Sequence, residues 1–183
     1  MPINLQDEHE FEELRQQRIV CGWNFQPQVL EGWRNAISEK TKSMFWITLP
    51  STVDSESSPT KYKRVGHISL DSANDPPNLE IANPDKSVLT IAGFFIHPAY
   101  RGGGLGRTAM SILESYATKK PYGSPNCKSI VIVTLDKRYT EDDEWRSIWE
   151  RLGRKEAPAK GSTSEAWYER MGYVKWKDEP RIQ

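Results

Sequence analysis

Residues 91–117 read IAGFFIHPAYRGGGLGRTAMSILESYA, and this stretch decides the fold. An apolar run ends in a proline turn, Arg101 opens a glycine-dense loop, and a helix-forming segment follows at once. Glycine lets a backbone approach a ligand closely, and a helix start presents unpaired N–H groups at the positive end of a dipole. Together they describe a phosphate cradle. A Walker A loop is excluded, because Gly106 is followed by Arg107-Thr108 and no lysine stands at the helix start. The dinucleotide pattern G-x-G-x-x-A is formally present as Gly104, Gly106 and Ala109. Ile96 stands well apart from Gly104, however, and too little chain follows for the second half of a doubly wound sheet. A bare surface turn needs neither the leading arginine nor an amphipathic helix behind it.

A second segment works with the first. Residues 166–173, AWYERMGY, read as a short helix leading toward a strand. Arg101-x-x-Gly104-x-Gly106 resembles the Q/R-x-x-G-x-G/A motif of the GNAT superfamily of acyl-CoA-dependent N-acyltransferases, and AWYERMGY resembles that family's A-x-Y-x-x-x-G-F/Y segment. The two motifs stand in the expected order, and the resemblance covers about residues 43–177.

The resemblance implies a single mixed α/β (α+β) domain spanning residues 1–183, a twisted and mostly antiparallel sheet flanked by helices. A central strand pair, ending in Ile96 and Leu135, is expected to splay. Acetyl-CoA is the implied co-substrate. Backbone N–H groups across Arg101, Gly102, Gly103, Gly104, Leu105, Gly106 and Arg107 would hold its pyrophosphate. The backbone of Phe94, Phe95 and Ile96 would pair with the pantetheine arm as an added strand does. A backbone N–H of that strand would stabilise the developing oxyanion. Tyr168 would contact the cofactor and protonate the departing thiolate, a role a phenol of ordinary pKa fills at neutral pH.

The base is less legible. Some family members carry a Glu on the central strand, but here it reads VLTIA over residues 88–92, without a carboxylate. Glu80 in a long loop, His67 and Asp71 on the preceding strand, or a water chain are the candidates. His67, Ser69 and Asp71 share strand parity and so one face. His97 abuts the turn and is expected to stabilise it. Cys21 and Cys127 lie in no nucleophile context, so direct attack in a ternary complex is expected rather than an acyl-enzyme. Three histidines and two cysteines show no ligand spacing, so no metal is expected.

Composition narrows the partners. Twenty-five basic residues balance twenty-five acidic ones, which leaves no net field to draw nucleic acid or membrane. The first residues, MPINLQDEHEFEEL, are too acidic for a signal or transit peptide, and with two unpatterned cysteines a reducing, cytoplasmic setting is expected. The leading reading is acetyl transfer to a primary amine on a small molecule. Transfer to a protein N-terminus or lysine, or CoA binding without catalysis, are the alternatives. A homodimer would suit the seven tryptophans.

Along the chain, the pattern predicts helices over residues 7–20 (Phe11, Leu14 and Ile19 inward) and 26–39. Strands are predicted over residues 44–49, 64–71, 88–96 and 129–135. Residues 50–60 and 72–86 read as loops. A helix over residues 104–119 turns Leu105, Ala109, Ile112, Leu113 and Tyr116 inward. Residues 136–163 form an insertion with a helix at 140–152, whose Trp145 and Trp149 are expected to pack in a core. Its WERLG mimics the later YERMG, but only the later copy has the tyrosine and a strand-forming tail at residues 173–176.

Overall fold

The computed structural model describes residues 1–51, 62–147, 149, 160–161 and 163–178. The chain divides into two compact units, Met1–Val133 and Thr134–Gln183.

The first unit is built on a four-stranded mixed sheet in the order β1-β2-β3-β4, with β1 Lys42–Pro50, β2 Tyr62–Asp71, β3 Val88–Ile96 and β4 Ser129–Ile132. β1/β2 and β2/β3 are antiparallel, and β3/β4 is parallel. Helix α1, Glu8–Cys21, starts at Asp7, whose carboxylate accepts the N–H groups of His9 and Glu10. It ends at Gly22, whose left-handed backbone returns its N–H to the Arg18 and Ile19 carbonyls. Helix α2, Pro27–Ser38, carries its proline in the first turn, where no N–H is needed. These two helices bury Phe11, Leu14 and Leu30 against Met44 and Trp46 of β1. Arg64 of β2 ties α1 down through Glu10 and Glu13 at 2.7 and 2.6 Å and lies over the Trp46 ring. Elsewhere in the unit, α3, Leu105–Ala117, buries Met110, Leu113 and Ala117, and its Tyr116 clusters with Phe45 of β1 and with Tyr122.

Two helices turn differently from the sequence pattern. In α1 the third inward position is Arg18, while Ile19 is exposed. The helical period leads from Phe11 and Leu14 to residue 18, and geometry overrides hydrophobicity there. In α3 the inward series is 110, 113 and 117, so Ile112 faces solvent.

The β3/β4 ladder runs only from Val88↔Ser129 to Ile91↔Ile132, so β3 continues past its parallel neighbour. On its other side β3 carries a bulge. His67 pairs with Phe95 and Ser69 with Ala92, so Ile68 alone faces both Gly93 and Phe94. Gly93 sits at φ +57°, the left-handed conformation that admits this extra residue at little steric cost. The truncated ladder leaves β3 without a β4 partner beyond Ile91, where the strand pair was expected to splay. β4 is three residues shorter than predicted for the same reason: beyond Ile132 it has no ladder partner.

The second unit contains short helices: α4 Arg138–Glu141, α5 Asp143–Arg146 and α6 Ser164–Glu169. The predicted helix over residues 140–152 is interrupted at Asp142, whose backbone is extended and whose carboxylate caps α5 by accepting the Glu144 N–H. Trp149 is buried and donates to the Tyr139 carbonyl at 2.6 Å, but Trp145 is exposed and stacks edge-on with Tyr139. Residues 150–153 of the mimic motif lie outside the described residues. So do residues 52–60 of the predicted polar loop. Residues 173–178 are irregular rather than a strand, and Val174 and Trp176 are exposed. Among the described residues no helix is long and apolar enough to cross a membrane, and no cluster of metal-ligating side chains occurs.

Candidate active site

The glycine loop begins where β3 ends. A single 3-10 turn, Pro98–Tyr100, follows Ile96, and His97 caps it by accepting the Ala99 N–H on Nδ1, as expected of a residue stabilising that turn. Arg101 closes the turn. Its backbone N–H goes to the Pro98 carbonyl at 3.2 Å and its Nε to the Ile96 carbonyl at 2.8 Å, with the guanidinium over the Phe95 ring. Arg101 is therefore engaged on both counts and shapes the loop from its base.

Beyond it the situation reverses. Gly102 and Gly104 adopt φ +91° and +79°, and Gly104 is the N-cap of α3 without any side-chain cap. The first helical bond runs from Thr108 N–H to the Gly104 carbonyl. The N–H groups of Gly102, Gly103, Gly104, Leu105, Gly106 and Arg107 find no acceptor among the described residues. A Cβ added at Gly102, Gly103 or Gly104 would meet nothing within 4 Å, so the space above the loop is open. The first turn of α3 has no acidic residue to satisfy the dipole, and Arg107 adds positive charge there. An unpaired N–H row, a helix N-terminus and a cation share this one open loop, which fits a diphosphate.

The polar residues of β2 go elsewhere. His67, Ser69 and Asp71 do share a face, and it is the face that receives α1 and α2. His67 is fully buried. Its Nδ1 is 2.8 Å from Gln17 Oε1, and its Nε2 is 3.4 Å from an Arg18 guanidinium nitrogen. Arginine only donates, so Nε2 is the acceptor and Nδ1 carries the proton. Burial, then the nearby Arg18 and Lys42 cations, lowers the His67 pKa well below its ordinary value. The ring is thus a neutral, fully bonded residue stacked on Phe95. Its lone pair is already in use, which leaves none for a general base in this arrangement.

Asp71 pairs with the Lys42 ammonium, and both are buried. Lys42 also donates to Ser69 Oγ at 3.2 Å and lies over the Trp33 ring. Burial raises the Asp71 pKa, and the Lys42 charge only partly offsets it. Glu80 sits far along the loop between β2 and β3, exposed, in a turn where its N–H goes to Asn78 Oδ1. The sequence reading missed Arg18, Gln17 and Lys42. Arg18 was readable from the helical period, whereas Lys42 is brought to Asp71 by strand register alone.

In the second unit, Thr163 caps α6 by accepting the Ala166 N–H, which sets Tyr168 near the helix C-terminus against Trp167 and Tyr173. Burial pushes the Tyr168 pKa up to about 12, so the phenol stays protonated across the physiological range. Glu165 of the same helix accepts the Lys137 N–H and an ion pair from Lys175, which also holds Asp136. Burial would raise the Asp136 pKa, but hydrogen bonds from Lys175 and Arg138 prevail and hold it well below the carboxylate range.

The model of the Acetyltransferase (GNAT) family matches residues 11–141. No curated protein sequence matches the chain. Among solved structures, the BH1408 protein of Bacillus halodurans, in a tetramutant form, is similar with a TM-score of 0.55 at 12% identity, covering 100% of this chain and 97% of that one. An acetyl transferase of Pyrococcus furiosus gives 0.54 at 14% identity, with coverage of 96% and 95%. A GCN5-related N-acetyltransferase of Ralstonia eutropha JMP134 gives 0.54 at 12%, with coverage of 100% and 96%. At these identities the structures attest the fold. The match to the family model spans most of the chain and includes the glycine loop, and on it the chain belongs to the GNAT family of acetyltransferases.

Proposed function

We propose that this acetyltransferase moves the acetyl group of acetyl-CoA to a primary amine on a small-molecule acceptor, by direct attack within a ternary complex. The observation that carries the reading is the row of open N–H groups over residues 102–107 above an uncapped helix start. These donors, with Arg107 beside them, bind the diphosphate of the nucleotide. The pantetheine arm runs along β3 beyond the point where the β3/β4 ladder stops. Acetyl-CoA supplies an activated acyl thioester to an amine that must first lose a proton.

Tyr168 donates the proton that the departing sulfur needs. Its motif gives it that place in the family, and its raised pKa keeps it a donor rather than an anion. His67, with its lone pair occupied by Arg18, serves the scaffold beneath β3 in this reading. Glu80 is then the carboxylate candidate for the amine's proton. The balanced overall charge favours a small acceptor over a charged macromolecular surface.

Calorimetry with acetyl-CoA tests the cofactor site, wild type beside Gly104→Glu. Tight wild-type binding lost in the variant supports the reading, and a wild type that binds neither acetyl-CoA nor CoA removes it. Thiol release is then followed over polyamines, amino sugars, amino acids and peptides. Turnover confined to the peptides would replace the small acceptor with a protein one. Tyr168→Phe should lower kcat with little change in acetyl-CoA affinity. Glu80→Gln should lower kcat with little change in acetyl-CoA affinity if that carboxylate takes the proton.

A further inference from the structure

The bulge at Gly93 is braced from beneath by a buried polar chain with no evident task in a simple core. Ser69 Oγ donates to the Ala92 carbonyl, the peptide immediately before the bulge, at 3.0 Å. The same oxygen accepts from Lys42 Nζ at 3.2 Å. Lys42 is fixed in turn by Asp71 and by the face of Trp33, 4.9 Å from the ring centroid. Ser69 is fully buried, and Lys42 and Asp71 nearly so.

The direction of this chain is set by chemistry. An ammonium only donates, so it occupies a lone pair of the serine and turns the hydroxyl proton away from itself. The acceptor at 3.0 Å for that proton is the Ala92 carbonyl, and the Asp71 carboxylate is its one competitor. The chain also reaches the bulged residue: a Cβ built on Gly93 would lie 3.6 Å from Ser69 Oγ and 3.9 Å from the Trp33 ring. A buried ion pair is a weak source of stability, and its best use is to fix one conformation among several. Here the conformation that needs fixing is a two-for-one register that local twist alone would let slip.

We propose that Ser69, oriented by Lys42 and Asp71, is a positioning residue for acyl-CoA: it pins the Ala92 peptide so that β3 stays bulged and its backbone past the ladder is held for the pantetheine arm. The inference rests on the acetyl-CoA reading above. It divides the site in two. The glycine loop binds the nucleotide without help from Ser69, and the pantetheine arm depends on it.

Ser69→Ala separates the halves when titrated with two probes: CoA and 3′-phosphoadenosine 5′-diphosphate, its pantetheine-free nucleotide. The expected result is about a tenfold loss of affinity for CoA, the worth of one buried hydrogen bond, with nucleotide affinity unchanged. Thr90→Val is the comparison, since it removes a similar buried hydroxyl that donates to the Val131 carbonyl at 3.1 Å, on the part of β3 that is laddered to β4. It should spare the difference between the probes. Parallel loss of both probes in Ser69→Ala, no loss of either, or the same selective loss in Thr90→Val would each overturn the proposal. A wild type that binds the nucleotide but gains nothing from the pantetheine arm overturns it too. A wild type that binds neither probe instead removes the acetyl-CoA reading on which the proposal stands.

Discussion

Two polar regions of the first unit follow opposite rules. Under α1 and α2, the side chains of Arg18, Lys42, His67, Ser69 and Asp71 are buried, and they bond to one another or to neighbouring backbone. On the glycine loop, six successive N–H groups bond to nothing described, on residues that are exposed or half-buried. Burying a polar group without a partner is costly, so the interior gives each of these side chains a partner, Asp71 Oδ1 being the one atom among them left without a hydrogen bond. At the surface water relieves that cost, and the fold can leave donors open where a ligand is to come. The contrast separates scaffold from site without appeal to residue type, and it reassigns His67: histidine invites a catalytic reading, but its bonding is that of the interior.

If the contrast is right, injury to the interior should appear in stability and injury to the loop in binding. The largest effect is expected from Lys42→Met. It leaves the Asp71 carboxylate buried without its cation, which costs about 3–5 kcal/mol of unfolding free energy in a urea titration. A loss under about 1 kcal/mol would mean that the pair is far more solvated than its burial implies. Gly104→Glu should do the opposite. It forces a side chain into a left-handed position at a cost of about 1–2 kcal/mol, but meets no steric obstacle. Its main effect should be on acetyl-CoA, with affinity falling by about a hundredfold or more, some 2.7 kcal/mol. Gly104→Ala carries the same backbone cost without the charge and should retain part of the affinity.

His67 provides a pH test of the interior. Its folded pKa is depressed, so the unfolded chain takes up a proton that the folded one refuses. Stability from the neutral ring is complete above the unfolded value near 6.5. It is lost as pH falls from there toward the folded value, by at most about 1.4 kcal/mol per pH unit. The melting temperature should therefore drop between pH 7 and pH 5, and His67→Gln should flatten that drop. An equal pH dependence in wild type and variant would show that other groups carry it.

What the sequence disclosed follows the same division. The glycine loop was legible because its chemistry is local: open N–H groups, positive φ and a helix start all arise within residues 101–107. The mostly antiparallel sheet and the expected splay of β3 came with the family resemblance, whereas the bulge at Gly93 emerges only from the β2/β3 register. The interior was not legible, because its partners are assembled from α1, β1 and β2 by register and helical phase. Ile19 exceeds Arg18 in hydrophobicity, but helical phase puts Arg18 on the buried face. Lys42 could be assigned to Asp71 only once β1 and β2 were aligned. Residues 173–176 failed as a strand for a related reason: a β-prone run needs a neighbour to pair with, and its own composition does not supply one.

The smallest expected effect draws the sharpest line between the regions. Arg107 stands in the first turn of α3, exposed, where a cation opposes the helix dipole. In the free protein that placement is unfavourable. Arg107→Glu should raise the stability of the unliganded protein by about 0.3–1 kcal/mol, as removal of a misplaced charge does in the first turn of a surface helix. The same change puts a carboxylate beside the proposed diphosphate, so acetyl-CoA affinity should fall, and fall further at low ionic strength, where the charges are less screened. Opposite signs for stability and binding are what a residue kept for a ligand requires. If Arg107→Glu instead weakened both, Arg107 would belong with the interior as part of the scaffold, and the open row of donors would lose the cation that points it toward an anion.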